Sequence, residues 1–198
     1  MDNADIHIKE PVITASEEGI SKAAAALREG MVVAFPTETV YGLGADATNG
    51  KAVSQIFEIK QRPAFNPLIV HIAAMEMLET LVELRPAARK IAASLWPGPL
   101  TMILERTKNC PVSELCSVGM PTLGVRMPAH PTARKLIAAA ACPLAAPSAN
   151  RSGRLSPTTP QHVLESFGAD CPMVLADGAC KIGLESTVVD LTAQTPVI

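Results

Sequence analysis

Apolar residues along this chain recur in two periods, one helical and one of strands, and the switches between them predict its elements. From Asn49 to Lys60 the apolar positions Val53, Ile56 and Phe57 repeat at helical spacing, so one stripe of that helix faces a core. Lys60 stands seven residues beyond Val53 and falls on the same stripe, where a buried ammonium must find a partner or reach past the helix end. Met31 to Phe35 is a continuous apolar run, the pattern of a central strand covered on both faces. Leu68 to Ile72 reads as a second buried strand, with His71 opposite Leu68, Val70 and Ile72. Between Pro121 and Pro128 the alternation places Leu123, Val125 and Met127 on one face and Thr122, Gly124 and Arg126 on the other.

Punctuating residues mark the rest. Ser16 caps an Ala-rich helix that runs to about Glu29 and closes at Gly30. Helical patterns follow at Ala74–Leu84, at Pro86–Leu95, at Pro131–Ala141, and after Thr159 and Pro160 to about Phe167. Short strands are expected at Ile6–Ile8, Leu144–Ala146, Met173–Ala176 and Ser186–Leu191, and WPGPLT turns into a strand through Leu104. Pro36–Ala47 and Asn109–Pro121 read as loops. Strands and helices alternate without a repeat or linker, so the expectation is one α/β domain over residues 1–198, its core from about 16, with a mixed twisted sheet.

Composition narrows the function. With 48% hydrophobic and 18% charged residues the chain can bury a sizeable core, which excludes disorder. Aromatics at 3% argue against a platform of stacked rings for single-stranded nucleic acid. A net charge of -2 offers no global attraction to a polyanion, so an anion site must be local. The five cysteines are scattered, odd in number and without a CxxC pair, and His7, His71, His130 and His162 lack metal-ligand spacing. Reduced thiols and no protein-built metal site are the expectation, in a cytoplasmic protein. MDNADIHIKE is too polar for a signal peptide, and no apolar run has membrane-spanning length, so no membrane partner is expected.

Candidate chemistry gathers at strand ends. PTETVYGLGADA lacks dinucleotide or Walker A spacing, and its glycines alone indicate turn geometry. Thr37, Glu38, Thr39 and Tyr41, however, put hydrogen-bonding groups at the carboxyl end of a buried strand, where open α/β sheets form ligand crevices. Lys60 and Arg62 form a proline-broken basic turn suited to an anion; the same pattern also suits Lys60 as a complement to the negative helix end. The Thr122, Gly124 and Arg126 face offers a hydroxyl, a bare backbone and a guanidinium. SANRSG, from Ser148, lets backbone amides approach a phosphate closely.

Together PTETVYGLGADA, KQRPAFNPLIVHI, WPGPLT, GVRMPAHP, APSANRSG and ESTVVD resemble the YrdC domain of threonylcarbamoyl-adenylate synthases, in the family's order, from roughly Ile20 to Val197. The resemblance implies a twisted α/β sheet with a concave basic face. It implies a nucleotidyltransferase that makes threonylcarbamoyl-AMP and pyrophosphate from L-threonine, bicarbonate or CO2, and ATP with Mg2+. It further implies a product that serves tRNA threonylcarbamoyladenosine modification, with tRNA met indirectly through a downstream transferase. Matching positions assign Lys60 and Arg62 of the KxR motif to the phosphates and the developing charge. Thr39, His71, Arg126, Ala146 and Ser186 match the threonine pocket, Arg126 on the carboxylate and Ala146 through its backbone. Arg62, Asn66, Thr122, Ser148 and Ser156 match ATP contacts, and Asn150 completes the SxN motif. Family members usually continue past a PVI-like end into a basic segment over the nucleotide, and longer ones append a further domain, so the expectation is either a fragment truncated at the C-terminus or a more open nucleotide site. Two other readings are a carbamoyl-adenylate-forming domain and an RNA-binding module.

Overall fold

The computed structural model describes residues 11–193 and 195–198; the strand expected at Ile6–Ile8 lies outside them. Strand β1 (Val12–Thr14) leads into helix α1 (Glu17–Arg28), whose Ser16 cap accepts from the Gly19 amide at 3.1 Å. A hairpin follows, β2 (Val33–Phe35) and β3 (Gly42–Asp46), and then α2 (Gly50–Lys60), capped by Asn49. Next come β4 (Val70–His71), α3 (Met75–Leu81), α4 (Pro86–Leu95) and β5 (Leu100–Glu105). The short α5 (Glu114–Ser117) precedes β6 (Thr122–Arg126), α6 (Pro131–Ala140) and β7 (Leu144–Ala145). Finally α7 (Pro160–Phe167), β8 (Met173–Ala176) and β9 (Thr187–Asp190) complete the order.

The strands form one sheet in the order β1-β8-β2-β3-β7-β4-β6-β5-β9. It is mixed: β4 runs parallel to β6 and antiparallel to β7, while β5 runs antiparallel to β6 and parallel to β9. Period-two alternation sends side chains into two cores. On one face Ala34, Leu43, Val70, Met102 and Val125 pack with Val53 and Ile56 of α2 and with residues of α3 and α4. On the other, Val33, Phe35, Leu144 and Leu175 of β2, β7 and β8 pack under α1 and α6, with Ile13 of β1 at the margin. From β4 outward that second face instead lines open space: a groove of about 330 Å³ is bordered by Ile69, Thr101, Ile103, Thr122, Gly124 and Val188. The functional surface is therefore the half of the sheet that α1 and α6 leave uncovered.

Several expectations change. The loop over Pro36–Ala47 contains β3, because glycines of low strand propensity are needed there for packing. A Cβ on Gly44 would stand 2.6 Å from Cε1 of Phe35, so these glycines make room for an aromatic ring of the facing strand. The segment Asn109–Pro121 holds α5, with Ser113 Oγ accepting from the Leu115 amide at 3.3 Å. Strand β4 is shorter than Leu68–Ile72, since its ladder is limited to two-residue pairing with β6 and β7, and α3 stops at Leu81, where Val82 turns extended and bridges Arg106. Strand β1 was not read from the pattern at all, being three residues just ahead of the helix cap. All five cysteines are free thiols. No described helix is long and apolar enough to cross a membrane.

Candidate functional site

Strand and helix ends converge on a cavity of about 180 Å³. The turn after β2 supplies Thr37 and Thr39; the residue before β4 and β4 itself supply Ile69 and His71; β6 supplies Arg126; the residues after β7 supply Ala146 and Ser148. Glu185 and Ser186 enter from just before β9, and Arg62 from just beyond α2. Parallel pairing puts His71 in register with Arg126, so the two side chains stand side by side on the uncovered face.

Each wall has its own support. Thr37 Oγ1 donates to the Val40 carbonyl at 2.7 Å and accepts from the Thr39 and Val40 amides, each at 3.2 Å, locking the turn. Arg126 Nη2 donates to Glu38 Oε1 at 2.7 Å, and the two side chains are only 5% and 8% exposed. Glu38 Oε2 and Arg126 Nε, both buried, have no partner among the described residues. Tyr41, by contrast, is structural: its hydroxyl donates to the Gly178 carbonyl at 2.7 Å, and burial pushes its pKa up to about 12.

His71 is buried, its ring edge-on to Phe35 with centroids 6.3 Å apart. Desolvation and the neighbouring Arg126 charge lower its pKa to about 3, against the opposing pull of the Ile69 carbonyl, so the ring is neutral at pH 7. Nδ1 lies 3.3 Å from that carbonyl, which can only accept, so Nδ1 carries the proton and Nε2 is left as an acceptor. Ser186 Oγ shares a 2.7 Å hydrogen bond with Thr101 Oγ1, which anchors the start of β9 on β5.

Lys60 lies on the buried stripe, as its spacing required, but it does not line the cavity. Its Nζ reaches past the end of α2 and donates to the carbonyls of Ser148 and Asn150, each at 2.5 Å. In return the Ser152 amide donates to the Lys60 carbonyl at 2.9 Å. Burial and the nearby Arg62 push the ammonium down to about 7, while the two carbonyls favour the charged form. Arg62 donates from Nη2 to the Pro67 carbonyl at 3.1 Å and from Nε to the Asn66 carbonyl at 3.4 Å.

Of the residues singled out from the sequence, Thr39, His71, Arg126, Ala146, Ser186, Arg62 and Ser148 share the cavity wall. Thr122 lies in the adjoining groove, which shares Pro67 and Ile69 with the cavity. Ser156 borders another groove and donates to Glu185 Oε1 at 2.5 Å. Asn66 touches Arg62 through its backbone, and Asn150 is buried behind the wall, donating from Nδ2 to the Arg151 and Arg154 carbonyls. The expected basic face thus has its positive charge at one end, on Arg62 and Arg126, beside a largely neutral groove ending at Asp190. Sequence reasoning missed the pairing of Glu38 with Arg126 and the presence of Glu185 on the wall; the only signal for the latter was its place directly before Ser186.

This arrangement defines a class, an α/β domain with a strand-end cavity for a small anionic or zwitterionic ligand. Residues 25–198 match the Sua5, YciO and YrdC family model, described as telomere recombination, and the chain belongs to that family. It is 48% identical over 194 residues to the threonylcarbamoyl-AMP synthase of Pyrococcus abyssi, covering 98% of this chain and 56% of that protein. It is 46% identical over 187 residues to the threonylcarbamoyl-AMP synthase of Bacillus subtilis, covering 94% and 54%. The chain therefore spans about half the length of these curated relatives. The structure of P. abyssi Sua5 complexed with L-threonine superposes with a TM-score of 0.89 at 48% identity, covering 93% of this chain and 55% of that one. Escherichia coli YciO superposes with a TM-score of 0.83 at 26% identity, covering 94% and 92%.

Proposed function

We propose that this chain is the catalytic domain of a threonylcarbamoyl-AMP synthase, condensing L-threonine, bicarbonate or CO2, and ATP with release of pyrophosphate. The observation that carries the reading is the meeting of Thr39, His71, Arg126, Ala146 and Ser186 on one small cavity. At about 180 Å³ it is below the range of drug-sized pockets and suits an amino acid. The bound L-threonine of the P. abyssi relative supports the same reading.

In this proposal Arg126 takes the amino-acid carboxylate, with Glu38 fixing the guanidinium from behind. Neutral His71 offers Nε2 as an acceptor without adding a second buried charge. The adjoining groove, with Thr122 and the bare Gly124, takes the nucleotide, and Arg62 and Ser148 at the junction take its phosphates. The substrate amine becomes a carbamate, and a carbamate oxygen attacks the α-phosphorus while pyrophosphate leaves. Such a reaction presses negative groups together, so positioning and fixed positive charge supply the catalysis. Lys60 acts one step back, by holding the Ser148 and Asn150 carbonyls and hence the turn that meets the phosphates.

Among the described residues no three His, Cys, Asp or Glu side chains cluster around a metal position. In this proposal Mg2+ would be brought by the nucleotide and held by phosphate oxygens and water, where it would neutralise phosphate charge. The product would pass to a downstream transferase acting on tRNA. Pyrophosphate release measured with threonine, bicarbonate and ATP tests the proposal. Release that needs all three supports it, and ATP turnover unchanged without threonine refutes it.

A further inference from the structure

Among the described residues the cavity wall carries three charged side chains, Arg62, Arg126 and Glu185, and therefore a single carboxylate. Glu38 is not on that wall: it stands behind Arg126 and is paired with it through Oε1. Glu185 is different in each respect. It is exposed, it forms no ion pair with any described Lys, Arg or His, and its one hydrogen bond is from the neutral Ser156 hydroxyl. Its backbone is nevertheless held on both sides. The Ile182 and Gly183 amides donate to the Glu38 and Thr39 carbonyls, each at 2.9 Å, and the Thr187 amide donates to the Pro99 carbonyl at 3.0 Å. A carboxylate without a cation, on a tethered segment beside a site of two guanidiniums, is placed for a positive group that arrives with the ligand.

We propose that Glu185 is the specificity residue that receives the substrate's ammonium group. The inference rests on the amino-acid reading above. A zwitterion whose carboxylate sits on Arg126 carries its ammonium one carbon away, in a cavity where Arg62 adds a second positive charge. His71, held neutral, cannot offset it, and Glu185 is the group that can. The same charge opposes carbamate formation itself but orients the carbamate once it has formed. Condensation of the ammonium with bicarbonate gives a carbamate, one water and one proton released to solvent, so the nitrogen substituent changes from cationic to anionic. Glu185 attracts the first and repels the second, which turns the carbamate from the Glu185 wall toward Arg62 and the phosphates.

The test is calorimetric titration of the whole chain with L-threonine and with 2,3-dihydroxybutanoate, which keeps the carboxylate and the 3-hydroxyl but carries a neutral hydroxyl in place of the amine. Wild type is expected to prefer threonine. Glu185→Gln, nearly isosteric and still able to accept from Ser156, is expected to weaken threonine binding about fivefold, the size of a partly solvated ion pair. Its affinity for the analogue should stay the same, so the ratio of the two collapses. Loss of affinity for both ligands in parallel would show a merely structural role and overturn the inference while leaving the amino-acid reading in place. A wild type that binds neither ligand would overturn the amino-acid reading, and this inference with it.

Discussion

Replacing Glu38 by Met leaves the Arg126 guanidinium buried without its counter-charge. The two side chains are 5% and 8% exposed and meet at 2.7 Å, so solvent can screen or replace little of the lost interaction. Breaking a buried pair from one side costs about 3–5 kcal/mol, because the surviving charge keeps its desolvation penalty and loses its compensation. In a chain of 198 residues each kcal/mol moves the melting temperature by about 2–4 °C, so a fall of about 6–20 °C is expected. The Arg126→Met variant strands Glu38 instead and should lose a similar amount. The double variant Glu38→Met/Arg126→Met strands neither charge and should recover at least half of the loss. Urea unfolding of all four proteins, followed by circular dichroism, gives the cycle. The reasoning is refuted if Glu38→Met costs less than about 1 kcal/mol, or if the double variant is no more stable than the weaker single one.

Three further outcomes follow from the same geometry. Lys60→Met removes the donor of the Ser148 and Asn150 carbonyls and should cost about 1–3 kcal/mol. Since the folded pKa of Lys60, about 7, lies below its ordinary 10.5, the charged-state penalty is full below pH 7. It is relieved as pH rises toward 10.5, so wild type should gain urea resistance relative to Lys60→Met over that window. His71 has a folded pKa near 3 against an ordinary 6.5, so its stabilising contribution is present above 6.5 and lost as pH falls toward 3. A non-titrating His71→Asn variant should show a flatter dependence of the urea midpoint across that acid range. Gly44→Ala places a methyl 2.6 Å from the Phe35 ring, and calorimetric melting should show a loss of about 1–3 kcal/mol. Most of that loss should return in Gly44→Ala/Phe35→Leu.

Much of the scaffold was readable from local pattern. The burial of Lys60 follows from counting seven residues from Val53 on a helix, and the shared face of Thr122, Gly124 and Arg126 follows from the pleat. Proline at the first turn of α4, α6 and α7, with Thr159 as the cap of α7, marked those helix starts. The strand β3 was not readable, because Gly42 and Gly44 look like a turn until Phe35 of the paired strand is set against them. Arg126 was recognised as an anion-binding group, but its pairing with Glu38 depends on bringing together two residues 88 positions apart.

The sequence by itself determined most element types, the class of fold and the residues able to meet an anion, since periodicity and capping act over a few residues. Only the tertiary structure decided what those residues do. It turned Lys60 inward to backbone carbonyls 88 and 90 positions away, gave Arg126 a buried counter-charge, and put Glu185 across the cavity wall from the β4 and β6 ends. The physical reason is the partial cover of the sheet: α1 and α6 pack over β2, β7 and β8, and the same face of β4, β6 and β5 borders the cavity and its adjoining groove instead. That division depends on the strand order, which sets contacts between distant segments and leaves no trace in local periodicity.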